Sequence, residues 1–149
     1  AGGALVGGSS NLLGVDTLKA LFGQNPVGLT GAFEGAMIGA GVSLGAILTG
    51  RLQASARPWQ KVMGASLGAM SAGILLTVIG GNLFSGSLEI VARSFADSQI
   101  RLDPLAPFFG EVRFGQTTQI MMGAIEGLLF GAGTAAGIEL SSRNYRRSN

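Results

Sequence analysis

Three long apolar stretches, separated by segments that hold most of the charge, set the pattern of this 149-residue chain. The first covers 27–50 and contains one charge, Glu34. The second covers 62–84 and contains none, and the third covers 117–140, with Glu126 inside it and Glu139 at its end. Each is long enough to cross a bilayer as a helix, which takes roughly 20 residues. All four prolines, Pro26, Pro58, Pro104 and Pro107, fall between the stretches, where a missing N–H and a fixed φ end helices rather than break them.

Helices are favoured over strands by the spacing of glycine. Glycines recur four apart at Gly31, Gly35 and Gly39, at Gly64 and Gly68, and at Gly123, Gly127 and Gly131. Residues four apart share a helix face. In water each helical glycine costs about 1 kcal/mol relative to alanine. Between membrane helices the same spacing lets two backbones approach closely, so that van der Waals contact does the work a hydrophobic drive cannot do in lipid. The expected packing positions are Gly31, Gly35, Gly39, Gly41, Gly45, Gly64, Gly68, Gly123, Gly127, Gly131, Gly133 and Gly137.

Residues 31–45 and 123–137 are two copies of one motif, identical at eight of fifteen positions at an offset of 92. Upstream, 15–24 and 102–111 share Asp, Leu, Phe and Gly at an offset of 87, and Gly2–Ser9 resembles Gly80–Ser87. These similarities predict a repeated unit: apolar helix, amphipathic connector, glycine-faced helix. The 62–84 helix opens the second unit, and its counterpart in the first is expected mostly before Ala1, leaving three helices and a remnant. The expected fold is thus an all-α integral membrane helical bundle. It has three long apolar helices packed by glycine-zipper faces, in a parallel internal duplication of a two-helix unit with interfacial amphipathic connectors. One membrane domain would fill 1–149, with repeat 1 over about 1–52, repeat 2 over about 62–140 and a basic tail at 141–149.

The connectors carry their own signals. Leu88, Val91 and Phe95 recur at helical spacing among Glu89, Arg93 and Asp97, which predicts a short helix lying on the membrane surface. The prolines of the 103–110 stretch exclude a regular helix there and point to an interfacial or re-entrant loop.

Composition narrows the chemistry. Cysteine and histidine are absent, which removes disulfides, thiolate metal sites and imidazole catalysis. Charged residues are 12% of the chain and the net charge is only +2, little support for nucleic acid as a partner. Gly7-Gly8 and Gly80-Gly81 lack the lysine and strand context of a phosphate loop. Met121-Met122 reads as core. No basic segment precedes the apolar start, so a signal peptide is not visible, and the chain reads as a fragment or processed product. No cofactor or metal is expected.

The remaining charge suggests an orientation. Arg51, Arg57 and Lys61 lie between the first two stretches, and Arg143, Arg146 and Arg147 follow the third, with no acid among either set. The opposite side mixes Lys19, Arg93, Arg101 and Arg113 with five acids. The positive-inside rule places the 51–61 loop and the C-terminal tail in the cytoplasm. Trp59 and Tyr145, the chain's one Trp and one Tyr, fit as interfacial anchors there, and these eight residues are the expected lipid-headgroup contacts.

Glu34 and Glu126 are the candidates for chemistry. At about 100° per residue, Gly31, Ile38, Gly41 and Gly45 share the stripe of Glu34, and Gly123, Phe130, Gly133 and Gly137 that of Glu126. Each acid therefore belongs to a packing face rather than a lipid face. An acid at mid-bilayer is costly, about 2.5–3.5 kcal/mol for Asp at a helix centre, and usually finds a partner. Two roles remain open: a carboxylate pair that binds a cation or relays protons, or interhelical hydrogen bonds to groups such as Ser66, Ser71 and Thr77. The expected function is a non-enzymatic membrane assembly or anchoring subunit. Its partners would be the lipid bilayer and other membrane subunits or a second copy. A transporter or pore using the Glu pair and a soluble helical interaction domain are the alternatives.

Overall fold

The computed structural model describes residues 2–22, 31–53, 55–94 and 101–148, and all its regular elements are helical. In chain order they are α1 (Gly2–Phe22), α2 (Ala32–Leu52), α3 (Pro58–Val78), α4 (Phe84–Ser94), a 3-10 helix (Asp103–Phe109) and α5 (Gln116–Ser148). Three of these are long and apolar enough to cross a membrane: Ala32–Leu52, Pro58–Val78 and Gln116–Ser142. The first two have 21 residues each. At about 1.5 Å per residue that is about 31 Å, close to the hydrocarbon thickness of a bilayer.

The boundaries follow local chemistry. Pro58 occupies the first turn of α3, where no N–H is needed. Gly80, at φ 87°, closes the turn after α3 in a conformation that side chains resist. The 103–110 stretch is a single 3-10 helix with Pro107 inside it. It ends at Gly110, φ 78°, whose N–H donates to the carbonyls of Ala106 and Pro107. Helix α4 covers Leu88 and Val91 of the expected amphipathic connector; Phe95 and Asp97 lie outside the described residues, as does Pro26.

Residues 2–22 hold more structure than a remnant: they form α1, a helix of 21 residues packed along α2. Its Gly2–Ser9 segment is helical, whereas Gly80–Ser87 is a turn leading into α4. The residue that meets Gly123 as Gly7 meets Gly31 is Gly73, inside α3.

The long helices pack in the order α1, α2, α3, α5, each antiparallel to the one before. At each seam backbone lies against backbone. A methyl group on Gly3 or Gly7 would strike the carbonyls of Gly35 or Gly31, and one on Gly45 or Gly68 those of Gly64 or Gly41. One on Gly73 or Gly127 would strike those of Gly123 or Ala69, and one on Gly131 would lie 2.8 Å from the Ala65 oxygen. Gly39 faces α1 more loosely, 3.6 Å from the Gly3 Cα. Gly133 and Gly137 behave differently: a methyl there would meet nothing within 4 Å. They follow Gly131 by two and six residues, and so stand roughly 200° and 240° around α5 from the face that α3 covers.

Small residues therefore fill the interior. Ala65, Ala69, Ala72 and Leu76 of α3 join Ile38 and Val42 of α2 in the buried cluster. The large apolar side chains point out: Leu44, Ile47 and Leu48 on α2, Met63, Leu67 and Leu75 on α3, Leu129 and Ile138 on α5 are all about half exposed or more. In water this would expose an apolar surface far beyond what soluble domains show.

Candidate functional site

Glu34 and Glu126 line one cavity of about 440 Å³ between the α1–α2 pair and the α4–α5 pair. The rest of its wall is apolar or glycine, with Val6, Ile38, Leu83, Phe84, Leu129 and Phe130 contributing the large side chains. Among the described residues, no group of three or more acids gathers anywhere in the fold, so no metal cluster forms there.

The two glutamates reach this cavity by different routes. Glu34 is the third residue of α2, and its Oε2 accepts a hydrogen bond from the Gly31 N–H at 2.9 Å. This is half of a capping box, with glycine in the position that Ser or Thr usually takes. The carboxylate also stands at the positive end of the α2 dipole. Glu126 lies inside α5 and bonds a distant segment: Oε2 accepts from the Phe84 N–H and Oε1 from the Ser85 N–H, both at 2.8 Å. Those N–H groups open α4 and have no partner within their own helix. Glu126 thus caps α4 across 41 and 42 residues of chain, and buried Ser85 keeps its backbone satisfied.

Neither glutamate bonds Ser66, Ser71 or Thr77. Each of those hydroxyls donates to the carbonyl four residues earlier in α3, those of Val62, Leu67 and Gly73. A Ser or Thr inside a helix has that acceptor within reach and needs no interhelical one. Nor do the two acids lie at one depth. Gly41 of α2 meets Gly68 and Ala72, so Glu34, about two turns earlier, stands toward the C-terminal end of α3. Glu126 adjoins Gly127, which meets Ala69 near the middle of α3.

A second polar cluster lies at the start of α5, and nothing in the periodicity announced it. Glu111 accepts from the N–H groups of Gly115, Thr117 and Thr118 at 3.2, 3.1 and 2.8 Å, and from the Thr118 hydroxyl at 2.6 Å. The bond from the Thr118 hydroxyl, with those from the Thr118 and Thr117 N–H groups, holds its carboxyl well below the usual 4.5, at about 2. Asp103 Oδ1 accepts from the Phe114 N–H at 3.0 Å and so ties the 3-10 helix to this turn. Beside it a cavity of about 320 Å³ is lined by Asn82, Glu89, Arg93, Gln116 and Gln119. Arg93 pairs with Glu89 and donates to the Phe114 carbonyl, while Gln119 donates to Asn82 at 2.6 Å. The available sequence signals were the acid ahead of Thr117-Thr118 and the polar residues near the start of the third apolar stretch.

The expected headgroup residues collect at the opposite end. Arg51, Arg57, Trp59 and Lys61 are exposed where α2 ends and α3 begins, and the backbone of 143–147 continues α5 toward that same end.

Fold and site together define an all-helical protein with three helices long and apolar enough to cross a membrane. Compared with known proteins, the chain matches no family model, no curated protein and no solved structure.

Proposed function

We propose that this chain is a non-enzymatic integral membrane protein that works as a helix-packing assembly or anchoring subunit, with the bilayer and other membrane subunits or a second copy as partners. The observation that carries the reading is the inverted arrangement of side chains. Glycine and alanine meet at the helix seams while Leu, Ile and Met face outward along helices of bilayer length. In lipid, outward apolar side chains cost nothing and close backbone approach is the available source of packing energy. The seams are read as glycine zippers, and the two motif copies as a parallel internal duplication. The end bearing Arg51, Arg57, Lys61 and the C-terminal tail is assigned to the cytoplasm. Membrane fractionation tests the reading. The chain should stay with the bilayer through alkaline extraction and need detergent for release; a monodisperse particle without detergent would overturn it.

A second reading, a transporter or pore component, is favoured by one observation: both glutamates line the same cavity. Solute flux in proteoliposomes that is unchanged by Glu34→Gln and Glu126→Gln, with assembly intact, would exclude it.

A further inference from the structure

We propose that the cavity between Glu34 and Glu126 binds a hydrophobic organic cation, with Glu34 supplying the counter-charge. Its volume of about 440 Å³ lies in the range of small-molecule pockets, roughly 300–1,000 Å³, which are mainly apolar with a few placed polar groups. The wall holds two acids and no Lys or Arg, so any charge on them faces a low-dielectric space without a cation of the protein's own. An inorganic cation is a poor match. Hard divalent ions take about six or more oxygen ligands, and this wall offers two carboxylates already engaged by backbone N–H groups. An organic ammonium needs less, since aromatic faces and apolar contacts replace its hydration shell. Phe84 and Phe130 line the cavity and supply those rings, and Leu129 supplies apolar surface.

The two acids have separate parts. Glu126 gives both oxygens to the N–H groups that open α4, so moving it would untie α4 from α5. Glu34 Oε2 accepts from the Gly31 N–H of its own first turn, so it can turn toward a ligand cation without loosening one helix from another. The proposal rests on the membrane reading for its dry surroundings. A chain that fractionates without detergent ends that reading, whereas failure to bind the probe in a bilayer ends only this one.

The test uses the full chain in lipid nanodiscs, with empty nanodiscs as the blank. The probe is benzyltrimethylammonium, followed by saturation-transfer NMR, and its neutral isostere neopentylbenzene serves as competitor. The cation should bind saturably, and the neutral isostere should compete at least about tenfold less well. Glu34→Gln should weaken cation binding by roughly tenfold with helix content unchanged by circular dichroism. Leu129→Trp, which fills the cavity from an exposed position and leaves both carboxylates in place, should weaken it by a similar factor. No signal above empty nanodiscs, equal competition by the isostere, or unaltered binding in either variant would each overturn the proposal.

Discussion

The two motif copies, 31–45 and 123–137, are identical at eight of fifteen positions yet meet different neighbours. In the first, Gly31, Gly35 and Gly39 face α1 while Gly41 and Gly45 face α3, so α2 is gripped on two sides. In the second, Gly123, Gly127 and Gly131 face α3, but a methyl on Gly133 or Gly137, at the positions of Gly41 and Gly45, would meet nothing among the described residues. The shared glutamate diverges likewise: Glu34 caps its own helix, and Glu126 caps another. A glycine every fourth residue makes close approach possible. Whether a helix takes the offer depends on what the rest of the chain places alongside.

That contrast can be broken most forcefully at a covered glycine. Gly127→Leu should drive a side chain into the Ala69 carbonyl and cost about 3 kcal/mol or more, or prevent assembly of α3 with α5. The matching change at the open position, Gly133→Leu, should be neutral or gain up to about 1 kcal/mol from helix propensity. Steric trapping or denaturant unfolding in micelles measures both. Equal losses at Gly127 and Gly133 would mean that α5 has no distinct open and covered faces.

The glutamates come next. Glu126→Gln keeps one good acceptor and replaces the other with an amide, leaving one N–H at the start of α4 without its carboxylate partner, at about 1 kcal/mol at the exposed Phe84 and up to about 3 kcal/mol at the more buried Ser85. Glu34→Gln should cost less, about 0.5–1 kcal/mol, since a single cap bond in a first turn is weakened and glutamine can still make it. Hydrogen exchange should show the first loss at Phe84 and Ser85 and the second at Gly31.

The smallest expected effect is confined to the start of α5. The Glu111 carboxyl is held down to about 2 by its bonds to Thr118 and Thr117. Its folded value lies below its ordinary value of 4.5, so its stabilisation is fully present above pH 4.5 and is lost as pH falls toward about 2. Protection of the Thr117 and Thr118 amides should fall through that window, and Glu111→Gln should remove the pH dependence. A profile unchanged by that substitution would assign the titration to another acid.

Much of the fold was legible in the chain. The apolar stretch at 117–140 lies within α5 and that at 62–84 overlaps α3, though it overruns the end of α3 at Val78 into the turn before α4. The turn at Gly80 is set by backbone geometry, whereas length and unbroken hydropathy are local properties. The prolines marked breaks for the same reason. Helix α1 was less visible, since Ser9, Ser10, Asn11, Asp16 and Lys19 interrupt its apolar run; its packing along α2 through Gly3 and Gly7 accompanies the helical form. At the site, Glu34 and Glu126 stood out as acids in apolar surroundings. Their partners did not, because a backbone N–H has no signature in sequence and the two bonded to Glu126 belong to a helix some forty residues away.

The amino-acid sequence by itself determined which segments are helical and apolar, where glycine permits contact, and which acids are conspicuous. Those follow from the period of the helix and from side-chain chemistry, both carried by neighbouring residues. The tertiary structure decided which glycine face is covered, which helix each glutamate caps and that both acids border one cavity. Each of these depends on the register between helices far apart in the chain, which backbone contact at Gly41, Gly68, Gly73 and Gly127 sets.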